Sequence, residues 1–372
     1  MPMPRLCASA MMLLSAFTGL LTMAGRATGV MNAENPSELP GQKPFTIAGP
    51  YTHGNLAVYV IRGEVADTRE YLTLDEGLNA GFVAVREKGA RQGQDRAEVN
   101  SLEIENRSDK WLFLQAGDIV KGGKQDRTIM TDLTLPPRSQ PTPIDAFCVE
   151  RGRWTARDSS GGFGKNTGIA SGVALKRAIQ GEKSQTRVWE EVARADAKAT
   201  DAVRTVDVAY APPPGAATLS STGTYNAIVE NPALQGNRTT FVKALLPHVQ
   251  QDTSAIGIAV AVNGEVVSAD VYASPALFQK LSRKLLDSYA TEATISREPG
   301  TPAAAPGKEA VLAFLSNPAG GSSKSEKLGS SMHQRTVEGT KTVLYEYAYQ
   351  ESERSGKPAP AKLVHQSYLK KQ

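Results

Sequence analysis

Residues 256–271 read IGIAVAVNGEVVSADV, two apolar, β-branched runs that meet at Asn263-Gly264. An Asn-Gly pair suits both positive-φ positions of a type I′ turn, so residues 256–262 and 265–271 predict a β-hairpin. Just beyond it, Ser274 is placed to cap a helix and Pro275 to occupy its first turn. Leu277, Phe278, Leu281, Leu285, Leu286 and Tyr289 then make one apolar stripe, which predicts that the helix packs on the hairpin.

Upstream, short β-branched or aromatic runs at 56–61, 71–74, 82–85, 102–104, 111–114 and 129–135 read as strands. Gly77, Asn79 and Gly81 punctuate one gap, residues 106–109 another, and Pro136-Pro137 ends a strand because proline cannot donate to a ladder. No amphipathic segment of helix length lies among them to serve a βαβ crossover, so the sheet is expected to be antiparallel, a sandwich or an open barrel. Val188, Trp189, Val192, Ala195, Ala199 and Val203 recur at helical spacing, giving about four turns that Pro212–Pro214 should stop. Residues 241–249 suggest a short helix, and 296–309 a Pro/Ala/Gly linker. The tail, 310–372, returns to strand character at 310–315, 342–349 and 362–368, segments that would close or extend the first sheet, with 317–331 expected as a mobile loop. The expected class is α+β, mainly antiparallel β with a few packed helices.

Composition narrows the function classes. Residues 1–27 read as a secretory signal: Arg5 precedes an apolar stretch over 8–24, and Gly25 and Ala27 are small residues at a plausible cleavage position. Export, to the periplasm or outside the cell, is the expected localisation, and no stable membrane span is expected after cleavage. Cys7 would leave with the signal, so Cys148 stands alone and no internal disulfide can form. Removing Arg5 and Arg26 lowers the basic count from 42 to 40 against 38 acids, a net charge of +2. That near-neutral, interspersed pattern argues against DNA and RNA as partners.

The densest polar stretch is QAGDIVKGGKQDR, residues 115–127, with five charges and three glycines. Glycines at 122 and 123 let backbone N–H groups approach an anion, Lys121 and Lys124 supply charge, and the Arg127 fork suits phosphate or carboxylate. The plainer alternative is a β-turn with Asp118 and Asp126 capping it and the lysines solvated. A second cluster at 148–154 offers Glu150, Arg153 and the Trp154 face. Asp118, Asp126 and Glu150 have the chemistry of general bases, and also that of salt-bridge partners for Lys121, Arg127 and Arg153. A lone cysteine among apolar residues reads first as a buried small hydrophobe. His53, His248, His333 and His365 show no metal-ligand spacing, so no metal site is expected. Residues 159–166 imitate a Walker A loop but carry Ser159 and Asn166 where that motif needs glycine and a hydroxyl.

GDIVKGGKQDR (117–127), LPPRS (135–139) and FCVERGRW (147–154), with Gln185-x-x-Val-Trp189 and the hairpin leading to Ser274-Pro-Ala-Leu-Phe278, together resemble the ARG-and-rhodanese-phosphatase-superfamily-associated protein family. The resemblance covers about residues 45–295. It implies a role near NAD-derived metabolites and ligands like ADP-ribose, and residues 121–127 and 150–154 fall in its motif regions. The site expected from both readings comprises Asp118, Lys121, Gly122, Gly123, Lys124, Gln125, Asp126, Arg127, Glu150, Arg153 and Trp154, holding a small molecule with phosphate or carboxylate groups, with Trp154 as a stacking face for adenine. No cofactor and no catalytic residue is assigned. The expected function is an exported binder of a phosphate-bearing or ADP-ribose-like molecule; the alternatives are a hydrolase acting on such a compound and a structural envelope protein.

Overall fold

The computed structural model describes residues 45–88, 100–155, 162–164, 172–206, 218–298, 300, 303–351 and 359–371. The expected signal, Cys7, Pro212–Pro214 and most of the Walker-like stretch lie outside the described residues.

The fold is α+β, built on an eight-stranded antiparallel sheet. Its strands are β1 (Thr46–His53), β2 (Leu56–Arg62), β12 (Ala255–Val262), β13 (Glu265–Tyr272), β17 (Lys362–Lys370), β16 (Thr342–Tyr349), β15 (Met332–Glu338) and β14 (Ser322–Leu328), in that order. Asn263 and Gly264 take φ of 51° and 80°, so the β12–β13 turn is the one that Asn-Gly favours. The Asn263 side chain ties the turn down, accepting from Asn55 at 2.8 Å and donating to the Ser296 carbonyl at 2.7 Å.

Both faces of this sheet are covered, which explains why its central strands read as continuous apolar runs. Along β2, Leu56, Val58 and Val60 pack with the stripe of helix α6 (Pro275–Ile295), while Ala57, Tyr59 and Ile61 face a second core shared with helix α7 (Lys308–Ser316). Ser274 caps α6 by accepting from the Leu277 amide at 3.3 Å. The helix expected at 241–249 is the second half of α5 (Pro232–Gln250), and the one through Val188 runs as α3 (Gln185–Val206).

The chain leaves the sheet after β2 and builds a closed six-stranded barrel, β10-β5-β4-β11-β7-β8, before returning at β12. Its strands are β4 (Val83–Glu87), β5 (Ser101–Asn106), β7 (Ile119–Gly122), β8 (Arg127–Ile129), β10 (Ser139–Cys148) and β11 (Gly162–Gly164). A small sheet, β3 (Tyr71–Thr73), β6 (Trp111–Leu114) and β9 (Leu133–Leu135), sits beside it, with β3 and β6 parallel.

Four expectations need correction. Residues 129–135 are not one strand: β8 and β9 belong to different sheets and part at Asp132. Residues 310–315 are helical, because Val311, Leu312, Phe314 and Leu315 bury at helical spacing on the sheet; a short apolar run fits either element. The loop expected at 317–331 holds β14, whose polar residues gain strand order from seven registered pairs with β15. The parallel pair was not anticipated either, nor was helix α1 (Leu74–Asn79), although Thr73 and Glu76 form its capping box.

Candidate functional site

Strand alternation in the barrel decides where the 118–127 side chains go. Val83, Val85, Ile129, Ile144 and Ala146 form the barrel core, and Glu87, Arg127 and Cys148 continue the same faces of β4, β8 and β10. The barrel end is therefore closed by a polar plug. Arg127, paired with Cys148 in register, is 1% exposed; it donates to the Gln125 carbonyl at 3.2 Å and lies 4.0 Å from Glu87. Burial pushes the Cys148 thiol up, away from nucleophilic character.

Above the plug, Arg153 is the hub. Its Nε and Nη2 donate to Glu150 at 3.0 and 2.7 Å, Nη1 to the Gly123 carbonyl at 2.8 Å, and Nη2 also reaches the Gly122 carbonyl at 3.3 Å and Asp126 at 3.4 Å. Asp126, fully buried, further accepts from Thr224 at 3.0 Å and Asn226 at 2.7 Å. Thr224 and Asn226, from the N-terminus of helix α4 (Tyr225–Glu230), were not among the expected site residues.

The loop amides have partners inside the protein. Gly122 donates to Asp126 at 3.1 Å, Lys124 to Glu87 at 2.7 Å and Asp126 to Glu150 at 3.1 Å, while Gly123 bonds the Gly162 carbonyl. Three of the protein's own carboxylates thus occupy the places an anion's oxygens would take. The glycine pair answers to close packing: a Cβ on Gly122 would meet the Gly162 oxygen at 2.5 Å, and one on Gly123, at φ 50°, would meet the Phe163 ring at 2.6 Å. Burial alone would raise the Glu150 carboxyl, but Arg153 and the Asp126 amide more than offset it and hold it below the usual range.

Two expected members lie apart from this hub. Asp118 is buried against Lys284 of α6 at 2.6 Å, and Lys121 pairs with Glu230. Burial disfavours the Lys284 ammonium, yet Asp118 and Asp75 keep it charged. Gln125 is buried and donates to the Arg151 carbonyl at 3.4 Å. What reaches solvent is an aromatic and cationic face: Trp154 is 50% exposed with the Lys124 ammonium 5.7 Å from its ring centre, and Arg151 lies 5.5 Å over Trp189.

The model of the ARG and Rhodanese-Phosphatase-superfamily-associated Protein domain, ARPP-1, matches residues 45–369. The chain belongs to this family. The ARPP-1 match takes in the Arg153 hub, the barrel and β12 to β17. No curated protein and no solved structure matches the chain.

A second constellation in the ARPP-1 domain had no signature in residue spacing. His365 of β17 holds Asp132 through Nδ1 at 2.5 Å and Asp270 of β13 through Nε2 at 3.2 Å. Asp270 also accepts from Tyr289 at 2.5 Å and lies 3.5 Å from Lys176 of helix α2 (Val173–Arg177), while the His365 ring stacks on Tyr272 with centroids 4.2 Å apart. Burial disfavours a charged imidazole, but Asp132 and Asp270 outweigh it and raise His365 to about 9. Asp270 is held well below the carboxylate range: Lys176 and His365 overcome its burial. The only hint in the sequence was the polar run His365-Gln-Ser367 inside an otherwise apolar strand. Among the described residues no cluster of His, Cys, Asp and Glu could hold a metal ion, and no helix is long and apolar enough to cross a membrane.

Proposed function

We propose that this chain is an exported protein whose ARPP-1 domain binds a phosphate-bearing small molecule of the ADP-ribose kind on the Lys124–Trp154 face. The observation that carries the reading is the half-exposed Trp154 ring with Lys124 over it, standing on the buried Arg153 hub. A ring and a cation on a fixed base are complementary to a nucleobase and a phosphate. Because the loop amides already serve carboxylates, the side chains of Lys124 and Arg151 carry the anion contacts. Binding is favoured over hydrolysis because Asp118, Asp126 and Glu150 are all buried and already engaged, Asp118 by Lys284, Asp126 by Asn226 and Glu150 by Arg153, so none presents a carboxylate to a bound molecule. The apolar stretch after Arg5 supports export.

Calorimetric titration with ADP-ribose tests this reading. The parent protein should release heat, and Lys124→Ala and Trp154→Ala should each weaken binding about tenfold or more, the ordinary scale for an interfacial aromatic or charge. Both variants should unfold within about 0.5 kcal/mol of the parent, as exposed substitutions do. Heat that both variants retain would move the ligand elsewhere, and no heat from the parent would end the ADP-ribose reading.

A further inference from the structure

The two ends of the eight-stranded sheet are built differently. β1 is a blunted edge: its register shifts between Ala48 and Tyr51, and Pro50 within it has no N–H to offer. β14, at the other end, has no bulge, proline or glycine, and its seven residues pair with β15 without a break. Among the described residues no strand pairs with its outer side. Five of its seven residues are exposed, and its place at the end of the sheet leaves its outer edge for another strand.

The sequence of β14, SSKSEKL, says which strand fits. In a two-fold antiparallel pairing the axis must lie midway between one residue and its own copy, because only then do opposed side chains leave the sheet on one face. With the axis at Ser325, Lys324 of each copy stands opposite Glu326 of the other, giving two cross-strand ion pairs. An axis at Lys324 sets lysine against lysine, and one at Glu326 sets carboxylate against carboxylate. Of the registers centred on a residue of β14, the one at Ser325 alone sets opposite charges against each other, and those at Lys324, Glu326 and Lys327 oppose like charges, which is destabilising. Glu326 also pairs with Lys183 of its own chain and can share its carboxylate between the two cations.

We propose that two copies of this chain join edge to edge through β14, with the axis at Ser325, extending the sheet across both. Sedimentation velocity on the purified chain should show a reversible dimer. Lys324→Glu alone and Glu326→Lys alone should each weaken association about tenfold or more, because each turns two attractions into two repulsions. An equimolar mixture of the two single variants should dimerise again, since one copy then offers only carboxylates and the other only ammonium groups at these positions. A parent that stays monomeric at every concentration overturns the proposal. So does a dimer that neither single variant weakens, or a mixture that fails to restore it.

Discussion

The Arg153 hub and the His365 cluster are both tight arrangements of arginine, lysine, histidine and carboxylate, yet they differ in origin and setting. Arg153, Glu150, Asp126 and the Gly122 and Gly123 carbonyls come from one stretch of chain, and the cluster keeps a solvent side at Trp154. Asp132, Lys176, Asp270, Tyr289 and His365 come from five separate elements or loops and are sealed from water. Charge dense in sequence partly satisfied its own stretch, while Asp118 and Lys121 turned to Lys284 and Glu230. Charge scattered in sequence was gathered where the barrel region meets the large sheet, with two cations against two carboxylates.

The sharpest way to break this comparison is to remove one carboxylate from the sealed cluster. Asp270→Asn leaves Lys176 and His365 facing Asp132 alone, and should cost about 3–5 kcal/mol in urea unfolding, the usual penalty for orphaning a buried charge. A cost below about 1 kcal/mol would mean the cluster is not ionised as the distances indicate.

Titration sharpens it next. The folded His365 pKa of about 9 lies above the ordinary 6.5, so its stabilisation is complete below pH 6.5 and is lost as pH rises through 9. The loss should be on the order of 3 kcal/mol between neutral and strongly alkaline pH. His365→Gln should flatten that limb of the melting-temperature profile; an unchanged slope would assign the alkaline loss to other groups.

The Arg153 hub, which keeps a solvent side at Trp154, should respond more mildly. Arg153, with 13% of its side chain exposed, already touches water, so Arg153→Ala lets solvent reach Glu150 and the two glycine carbonyls and the expected cost is about 1–3 kcal/mol, with faster amide exchange at residues 122–126 as the local signature. A loss as large as that of Asp270→Asn would erase the distinction between the two regions.

What could be read from the sequence follows the same division. The Asn263-Gly264 turn and the Ser274-Pro275 helix start are specified by neighbouring residues, so both were legible. α7 and β14 were not, because their state depends on a distant sheet face and a partner strand. Barrel closure depends likewise on β10 pairing with both β5 and β8. In the candidate site, the stretches 122–127 and 150–154 do meet, as their composition suggested. Nothing local indicated that Asp118 would turn to Lys284 or that Thr224 and Asn226 would hold Asp126.

The last strand among the described residues is not the last in the sheet. β17 lies between β13 and β16, so it alone hydrogen-bonds the half made of β1, β2, β12 and β13 to the half made of β16, β15 and β14. During synthesis the ribosome delivers both halves before their connector. Until residues 362–370 emerge, the nascent chain carries two open sheet edges and an Asp270–Lys176 pair still lacking His365. Delivery of residues 362–370 is thus the step that closes the sheet, and a chain stopped before them would leave those two edges free to capture each other's neighbours.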